Sequence, residues 1–293
     1  MEGTEGNGIV LQLAPNAEQP EGYNLKVTPS QVIITGGSEA GVFYGIQTLR
    51  KSVADAKDAT VTLPCVEIND APRFAYRGNM LDVSRHIFSM DSLKRHIDML
   101  ALHNINRFHW HLTEDQGWRI EIKSRPLLTE KGSMRKETVI GRNSGKYDGI
   151  PYGGFYTQEE AKELVKYAAE RYITIIPEID MPGHSAAFKR AMGYSMQTDE
   201  GVAVLKEVLT QLVAVFPDAP YIHIGADEKA ITYTDANGKG FLSIMTDHIH
   251  NLGKKVIVWN PIRGVNINNT DTDMTQMWSS RGNKIAGRPN IDC

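Results

Sequence analysis

From Tyr76 to the C-terminus, short β-rich segments alternate with segments of helical periodicity, and this alternation most limits what the chain can fold into. Tyr76–Val83 reads as a strand, and Asp91–Leu102 reads as a helix with Ser89 or Asp91 as its cap. Ile105–Leu112 is the next strand, and a long glycine-rich loop region follows as far as Tyr156. Thr157-Gln158-Glu159-Glu160 has the form of a capping box and opens a helix to about Arg171. Tyr172–Ile179, Tyr221–Gly225, Lys255–Trp259 and Met274–Trp278 are further strands, and Gly201–Phe216 and Gly240–Leu252 are helices. Pro289–Cys293 is a candidate seventh strand. Strands joined through crossover helices run parallel, because each helix returns the chain to the same edge of the sheet. The expected class is α/β, a (β/α)8 TIM-type barrel with about six to seven of its eight strands. Tyr76–Cys293 is also shorter than the ~250 residues of a typical complete barrel. An unclosed sheet leaves edge strands, so a chain of this length is expected to be poorly soluble and weakly active or inactive.

The preceding residues have another pattern. Ile9–Leu13, Asn24–Val27 and Gln31–Thr35 are β-rich and separated by Gly, Pro and Asn turns. A helix is expected from Ala40 to about Ala54, with Val42, Ile46 and Leu49 on one face. Asn69-Asp70-Ala71-Pro72 reads as a linker. The expected organisation is part of a small α/β domain over residues 1–70 and the incomplete barrel over 71–293.

The charge balance excludes some functions. The 32 basic and 35 acidic residues give a net charge of -3, so no basic excess points to nucleic acid. No apolar run is long enough to span a membrane. The N-terminus lacks the basic and apolar regions of a signal peptide, although a mature piece of an exported protein would look the same. Cys65 and Cys293 show neither a disulfide framework nor metal spacing.

Polar residues gather where the strands end. Arg85 follows the first barrel strand, Glu114 and Asp115 the second, Asp180 and His184 the third, and Asp227 and Glu228 the fourth. Trp259 and Trp278 end the fifth and sixth. In a parallel barrel all these positions share the C-terminal face, where active sites lie. A bare Asp-Glu pair is more often a solvated acidic loop. At a strand end, where the backbone can turn through Gly225-Ala226, both carboxylates can reach one cavity, as glycoside hydrolysis requires. Arg85 is placed to bind sugar hydroxyls with its fork of donors. Trp259 and Trp278 suit an aromatic wall, whereas Trp118 reads as core. A loop histidine such as His184 can hold Glu228 in position, with Glu114 or Asp115 behind it. His109-Trp110-His111 admits a zinc site completed by His184, His223 and Asp227. The plainer expectation is that His109 and His111 hydrogen-bond inside the barrel and pack beside Trp110.

These residues carry a resemblance. Asp82-Val83-Ser84-Arg85, the run from Phe108 through His109-Trp110-His111-Leu112-Thr113-Glu114-Asp115 to Arg119, Pro177–His184 and His223–Glu228 resemble, in order, the motifs of family 20 of the glycoside hydrolases. Gly22–Val53 resembles the end of the small α/β domain that precedes the barrel in that family. The resemblance implies removal of terminal N-acetyl-β-hexosamines by substrate-assisted retaining catalysis, in which the substrate's own acetamido oxygen is the nucleophile. It implies Glu228 as general acid/base and Asp227 as the residue that orients the acetamido group. Arg85 would bind the terminal sugar, and Trp259 and Trp278 would line the acetamido pocket. Glu114 stands where an acidic residue pairs with the His184 position, with Asp115 as a second candidate that is otherwise expected to bind substrate. It implies no metal and no organic cofactor, an N-acetylhexosamine-containing oligosaccharide or glycoconjugate as partner, and a periplasmic or secreted parent protein. The sequence departs from the family's pattern in that the Tyr and Asp near the seventh strand and the Trp and Glu near the eighth have no counterpart before Cys293. Two other readings stay open: a catalytically silent carbohydrate-binding remnant, and a metal-dependent amidohydrolase barrel.

Overall fold

Tyr23, Leu25 and Val27 alternate with Asn24 and Lys26, and only the first three are buried, as expected of a strand with one covered face. The computed structural model describes residues 8–14, 18–53, 60–142, 144–261, 273–280, 282, 284 and 287–293. The chain divides into two compact units. One comprises residues 1–78, 95–106 and 169–173, and the other comprises 79–94, 107–168 and 174–293.

The first unit is built on β1 (Gly8–Leu13), β2 (Tyr23–Val27), β3 (Gln31–Gly36), α1 (Glu39–Ser52) and β4 (Val66–Asp70). The four strands lie in the order β1-β3-β2-β4. Ser38 caps α1 by accepting the N–H of Gly41 at 3.3 Å. Tyr23, Leu25, Val27, Ile34, Val42 and Tyr44 form the core between helix and sheet. Gly45 lets the two approach: a Cβ there would lie 2.5 Å from Ile34 Cγ2. The expected linker is corrected in part, because Asn69 and Asp70 belong to β4 and pair with Asn24 and Tyr23. Val66-Glu67-Ile68 already alternates, and the following Asn-Asp-Ala-Pro turn signal masks the strand's last two residues. The expected end of α1 at Ala54 lies outside the described residues.

The second sheet comprises β5 (Gly78–Asp82), β6 (Arg107–His111), β7 (Thr174–Met181), β8 (Tyr221–Gly225), β9 (Lys255–Asn260), β10 (Met274–Met277) and β11 (Asn290–Asp292). The seven strands lie side by side in chain order. The ladders from β6 to β11 are parallel. Between strands run α2 (Met90–Leu102), α3 (Leu127–Glu130), α4 (Gln158–Ala169), α5 (Ala186–Met192), α6 (Asp199–Val215) and α7 (Phe241–Asn251). This is an incomplete TIM-type barrel, preceded by the small α/β sheet. Every residue of β7 after Thr174 is buried, as in a strand covered on both faces. β5 and β11 are the sheet's outer strands among the described residues. The capping box forms as its sequence predicts, with the Glu160 carboxylate accepting the Thr157 N–H at 2.8 Å and Thr157 Oγ1 accepting the Glu160 N–H at 3.1 Å. β7 begins at Thr174 rather than Tyr172, because Tyr172 has a positive φ of 57° and turns the chain into the strand. No helix among the described residues is long and apolar enough to cross a membrane.

Candidate active site at the C-terminal rim of the barrel strands

The parallel ladders bring the strand ends to one rim. There Asp82 accepts the N–H groups of Ser84 and Arg85 and binds Arg85 Nη1 at 2.7 Å, which fixes the guanidinium just beyond β5. Arg85 Nη2 forms an ion pair with Glu114 Oε1. The same oxygen lies 3.1 Å from His184 Nδ1, while Glu114 Oε2 accepts the N–H of Asp115 at 2.8 Å. Burial by itself would raise the Glu114 carboxyl. The nearby rings of His111 and His184 and the charge of Arg85 outweigh it and hold the group at about 2. On the far side of the imidazole, His184 Nε2 lies 3.6 Å from Asp227 Oδ2 and 3.3 Å from Glu228 Oε2. Hydrogen bonds to Asp227 and then Glu114 lift His184 to about 11, so it stands as a cation between carboxylates.

Adjacent residues on a regular strand point to opposite faces, so one imidazole nitrogen meets both Asp227 and Glu228 only because the backbone turns. Gly225, Ala226 and Glu228 have φ of 66°, 72° and 55°. A Cβ on Gly225 would fall 1.8 Å from Asp180 Oδ1, so that position needs glycine on two counts. Asp180 itself is buried and accepts the Ala226 N–H at 3.3 Å. Burial, Glu178 and Asp227 push its carboxyl well above the ordinary range.

Behind this rim lies a second group of ionisable residues. Glu178 is wholly buried. Its Oε2 lies 2.7 Å from His109 Nε2 and 2.5 Å from His111 Nδ1, and its Oε1 accepts the indole N–H of Trp259 at 2.8 Å. The rings of His109 and His223 stack at 4.5 Å, and Trp259 packs against both. Sequence reasoning missed Glu178 as a functional residue. The signal was present, since a carboxylate inside the apolar run Ile175–Ile179 must be buried and therefore partnered.

The model of the glycosyl hydrolase family 20 catalytic domain matches residues 74–198, and that of domain 2 of the same family matches residues 2–71. The chain belongs to glycosyl hydrolase family 20. A beta-hexosaminidase of Porphyromonas gingivalis is 41% identical over 256 residues, covering 77% of this chain and 32% of the relative. A beta-N-acetylhexosaminidase of Cellulomonas fimi is 35% identical over 284 residues, covering 88% of this chain and 55% of the relative. Among solved structures, the family 20 exo beta-N-acetylglucosaminidase of Vibrio harveyi in complex with N-acetylglucosamine superposes with a TM-score of 0.79 at 34% identity. That match covers 93% of this chain and 49% of the other. The chain thus spans from about a third to just over half the length of these relatives.

In this family 20 chain, Arg85, Glu114, His184, Asp227 and Glu228 are joined by direct contacts, and Trp259 reaches them through Glu178 and His111. Trp278 stands apart from that network, half-exposed just past β10, with its indole N–H on the carbonyl of Pro261 at 3.2 Å. Glu114 rather than Asp115 is the hydrogen-bonding partner of His184. Asp115 Oδ1 instead accepts the N–H of Ala186 at 2.8 Å, capping the helix that follows His184. That bond occupies one of the oxygens expected to bind substrate. The expectation that His109 and His111 pack beside Trp110 is also corrected. Trp110 points to the opposite face of β6, against Tyr156 and Phe216, because side chains alternate along a strand. Trp118 is buried core, its indole N–H on the Ile120 carbonyl.

Among the described residues, three groups of side chains have metal-binding donors within reach of one another: His109, Glu178 and His223; Glu114, Asp115 and His184; and Asp180, His184 and Asp227. Each group already has protein partners: Glu178 accepts from the Trp259 indole and faces His109 and His111, and His184 stands between Glu114 and Asp227.

Proposed function

We propose that the protein to which this chain belongs hydrolyses terminal non-reducing N-acetyl-β-D-hexosamine residues from oligosaccharides or glycoconjugates, with the substrate's acetamido group as nucleophile. The observation that carries this reading is the junction at His184, where one imidazole nitrogen meets both Asp227 and Glu228. The N-acetylglucosamine held by the Vibrio harveyi structure agrees with it.

The geometry performs the reaction as follows. The acetamido carbonyl oxygen attacks the anomeric carbon as the glycosidic C–O bond breaks, and Glu228 donates its proton to the departing oxygen. Asp227 accepts a hydrogen bond from the acetamido N–H and stabilises the positive charge of the resulting oxazolinium. Glu228, now a carboxylate, takes a proton from water as the water attacks the same carbon and restores the acetamido group. Glu228 is accessible to an incoming sugar, with 57% of its side chain exposed. Asp227 is more enclosed, at 14%. Arg85, fixed by Asp82 and Glu114, presents its remaining donors to the sugar hydroxyls.

The test is release of aryl alcohol from an aryl N-acetyl-β-glucosaminide, with and without chelator, followed by N-fluoroacetyl substrates. Fluorine weakens the acetamido oxygen as a nucleophile, so turnover is expected to fall steeply with each fluorine and to ignore chelator. A rate indifferent to fluorination would overturn the substrate-assisted mechanism. Sugar binding without release would favour the silent remnant, and chelator-sensitive amide hydrolysis would favour the metal reading.

A further inference from the structure

His111 is the only one of the three histidines around Glu178 with a carboxylate at each ring nitrogen. Its Nδ1 lies 2.5 Å from Glu178 Oε2, and its Nε2 lies 3.7 Å from Glu114 Oε1. Its side chain is 3% exposed, those of Glu178 and Glu114 0% and 2%. The other two histidines differ. His223 Nδ1 accepts the N–H of Gly225 at 3.0 Å, so it carries no proton to give Glu178. His109 has one nitrogen on Glu178, and burial lowers its ring to about 4; neither its other nitrogen nor His111 Nε2 makes a hydrogen bond, but only the His111 nitrogen faces a carboxylate, at 3.7 Å.

We propose that His111 and Glu178 form a buried positioning pair that holds Glu114, and through it His184, against the catalytic carboxylates, and that Glu178 at the same time fixes the ring of Trp259. The charges then alternate from the barrel interior to the rim: Glu178 negative, His111 positive, Glu114 negative, Arg85 and His184 positive, and finally Asp227 and Glu228. Burial opposes a charge on His111, but Glu178 and then Glu114 outweigh it and hold the ring well above its ordinary value. Asp180 also faces His111, and His109 is its neighbour on the same strand. Glu178 is held well below the carboxylate range, where burial alone would raise it, by the surrounding histidines with His111 foremost. A lone buried anion is strongly disfavoured, so Glu114 stays ionised only while cations surround it. Without His111, the pull of Glu114 on His184 weakens and the imidazole is freer to turn from Glu228. The same Glu178 carboxylate binds the indole N–H of Trp259, coupling the acid side of the site to its aromatic side.

The consequence for turnover rests on the glycosidase reading, but the arrangement of charges does not, and the experiment separates them. Histidine side-chain nitrogens of the whole 293-residue chain are observed by NMR between pH 6 and pH 12, in the wild type and in His111→Gln and Glu178→Gln. In the wild type His111 is expected to carry protons on both nitrogens at pH 8. In His111→Gln the titration midpoint of His184 should fall by at least one pH unit. In Glu178→Gln the indole N–H signal of Trp259 should move as well. Turnover of alkyl N-acetyl-glucosaminides should drop on the order of 10- to 100-fold, with KM changed little. Aryl substrates with good leaving groups should lose far less. A neutral His111 at pH 8, or a His184 midpoint unchanged in His111→Gln, overturns the proposal. The wild-type measurement decides even if Glu178→Gln fails to fold. The NMR shifts without any wild-type turnover would uphold the pair and sink the glycosidase reading, whereas turnover that ignores His111→Gln would do the reverse.

Discussion

Replacing Glu114 by Gln keeps the side chain's shape and removes the anion that Arg85 and His184 share. Glu114 is 2% exposed, so solvent does little to soften the change. Its carboxyl is lowered from 4.5 to about 2, which corresponds to about 3 kcal/mol of stability. Because the folded value lies below the unfolded one, that stability is fully present above about pH 5 and is lost as the pH falls toward 2. The raised value of His184 arises partly from the same contact and partly from Asp227, so the two are not added. Glu114→Gln is therefore expected to cost about 3 kcal/mol at pH 7, within the range for breaking a buried ion pair by removing one partner. All four tryptophans lie in the unit that contains the site, so their fluorescence reports its unfolding. In urea the midpoint should fall on the order of 1 M at pH 7, and the gap between wild type and variant should close as the pH approaches 2. A gap that stays constant from pH 7 to pH 3, or one below about 1 kcal/mol at pH 7, would refute the reasoning.

Glu228→Gln is expected to abolish turnover of substrates with poor leaving groups while N-acetylglucosamine still binds; calorimetric titration beside a rate assay checks both, and near-normal turnover rules out the acid role. Gly225→Ala should destabilise the barrel by about 3 kcal/mol or prevent its folding, because the new Cβ meets Asp180 at 1.8 Å on a backbone with φ of 66°. A variant within 1 kcal/mol of wild type in urea unfolding would contradict this. Asp115→Ala should cost about 1 kcal/mol through the lost cap of α5, and should lower kcat more than it raises KM because His184 precedes that helix. An unchanged kcat would show that the cap does not steady the imidazole.

Much of this was readable in the sequence because it rested on local rules. The capping box at Thr157, the alternation of strands and helices, and the gathering of Arg85, Glu114, His184, Asp227 and Glu228 at strand ends depend on residues close in the chain. What escaped depended on partners far away. Glu178 becomes meaningful only when β6, β8 and β9 deliver His111, His109, His223 and Trp259 to it, which no spacing within β7 reveals. The bond of Asp115 was hidden for the same reason, since its partner is the N–H of Ala186, 71 residues on. Trp110 was placed on the wrong side because its neighbours, rather than the period of the strand, guided the reading. The strand end at Asn69 and Asp70 shows the opposite failure, a strong turn signal overruled by pairing with β2.

The backbone gives independent support for where the chemistry lies. Five non-glycine residues among those described have positive φ, and three of them, His184, Ala226 and Glu228, belong to the candidate site. Such conformations cost on the order of 1–3 kcal/mol each and persist only where the surroundings hold them. Here the holding contacts can be named: Asp180 receives the Ala226 N–H, Glu114 holds His184, and His184 in turn faces Glu228. A solvated acidic loop would relax each of these residues to an ordinary conformation at no loss. That the turn stays strained therefore argues that Asp227 and Glu228 are held in place by the residues around His184. It also explains why the interior charges matter to the rim. If Glu114 lost its charge, the contact that restrains His184 would weaken, and the strained turn would be free to relax away from the substrate.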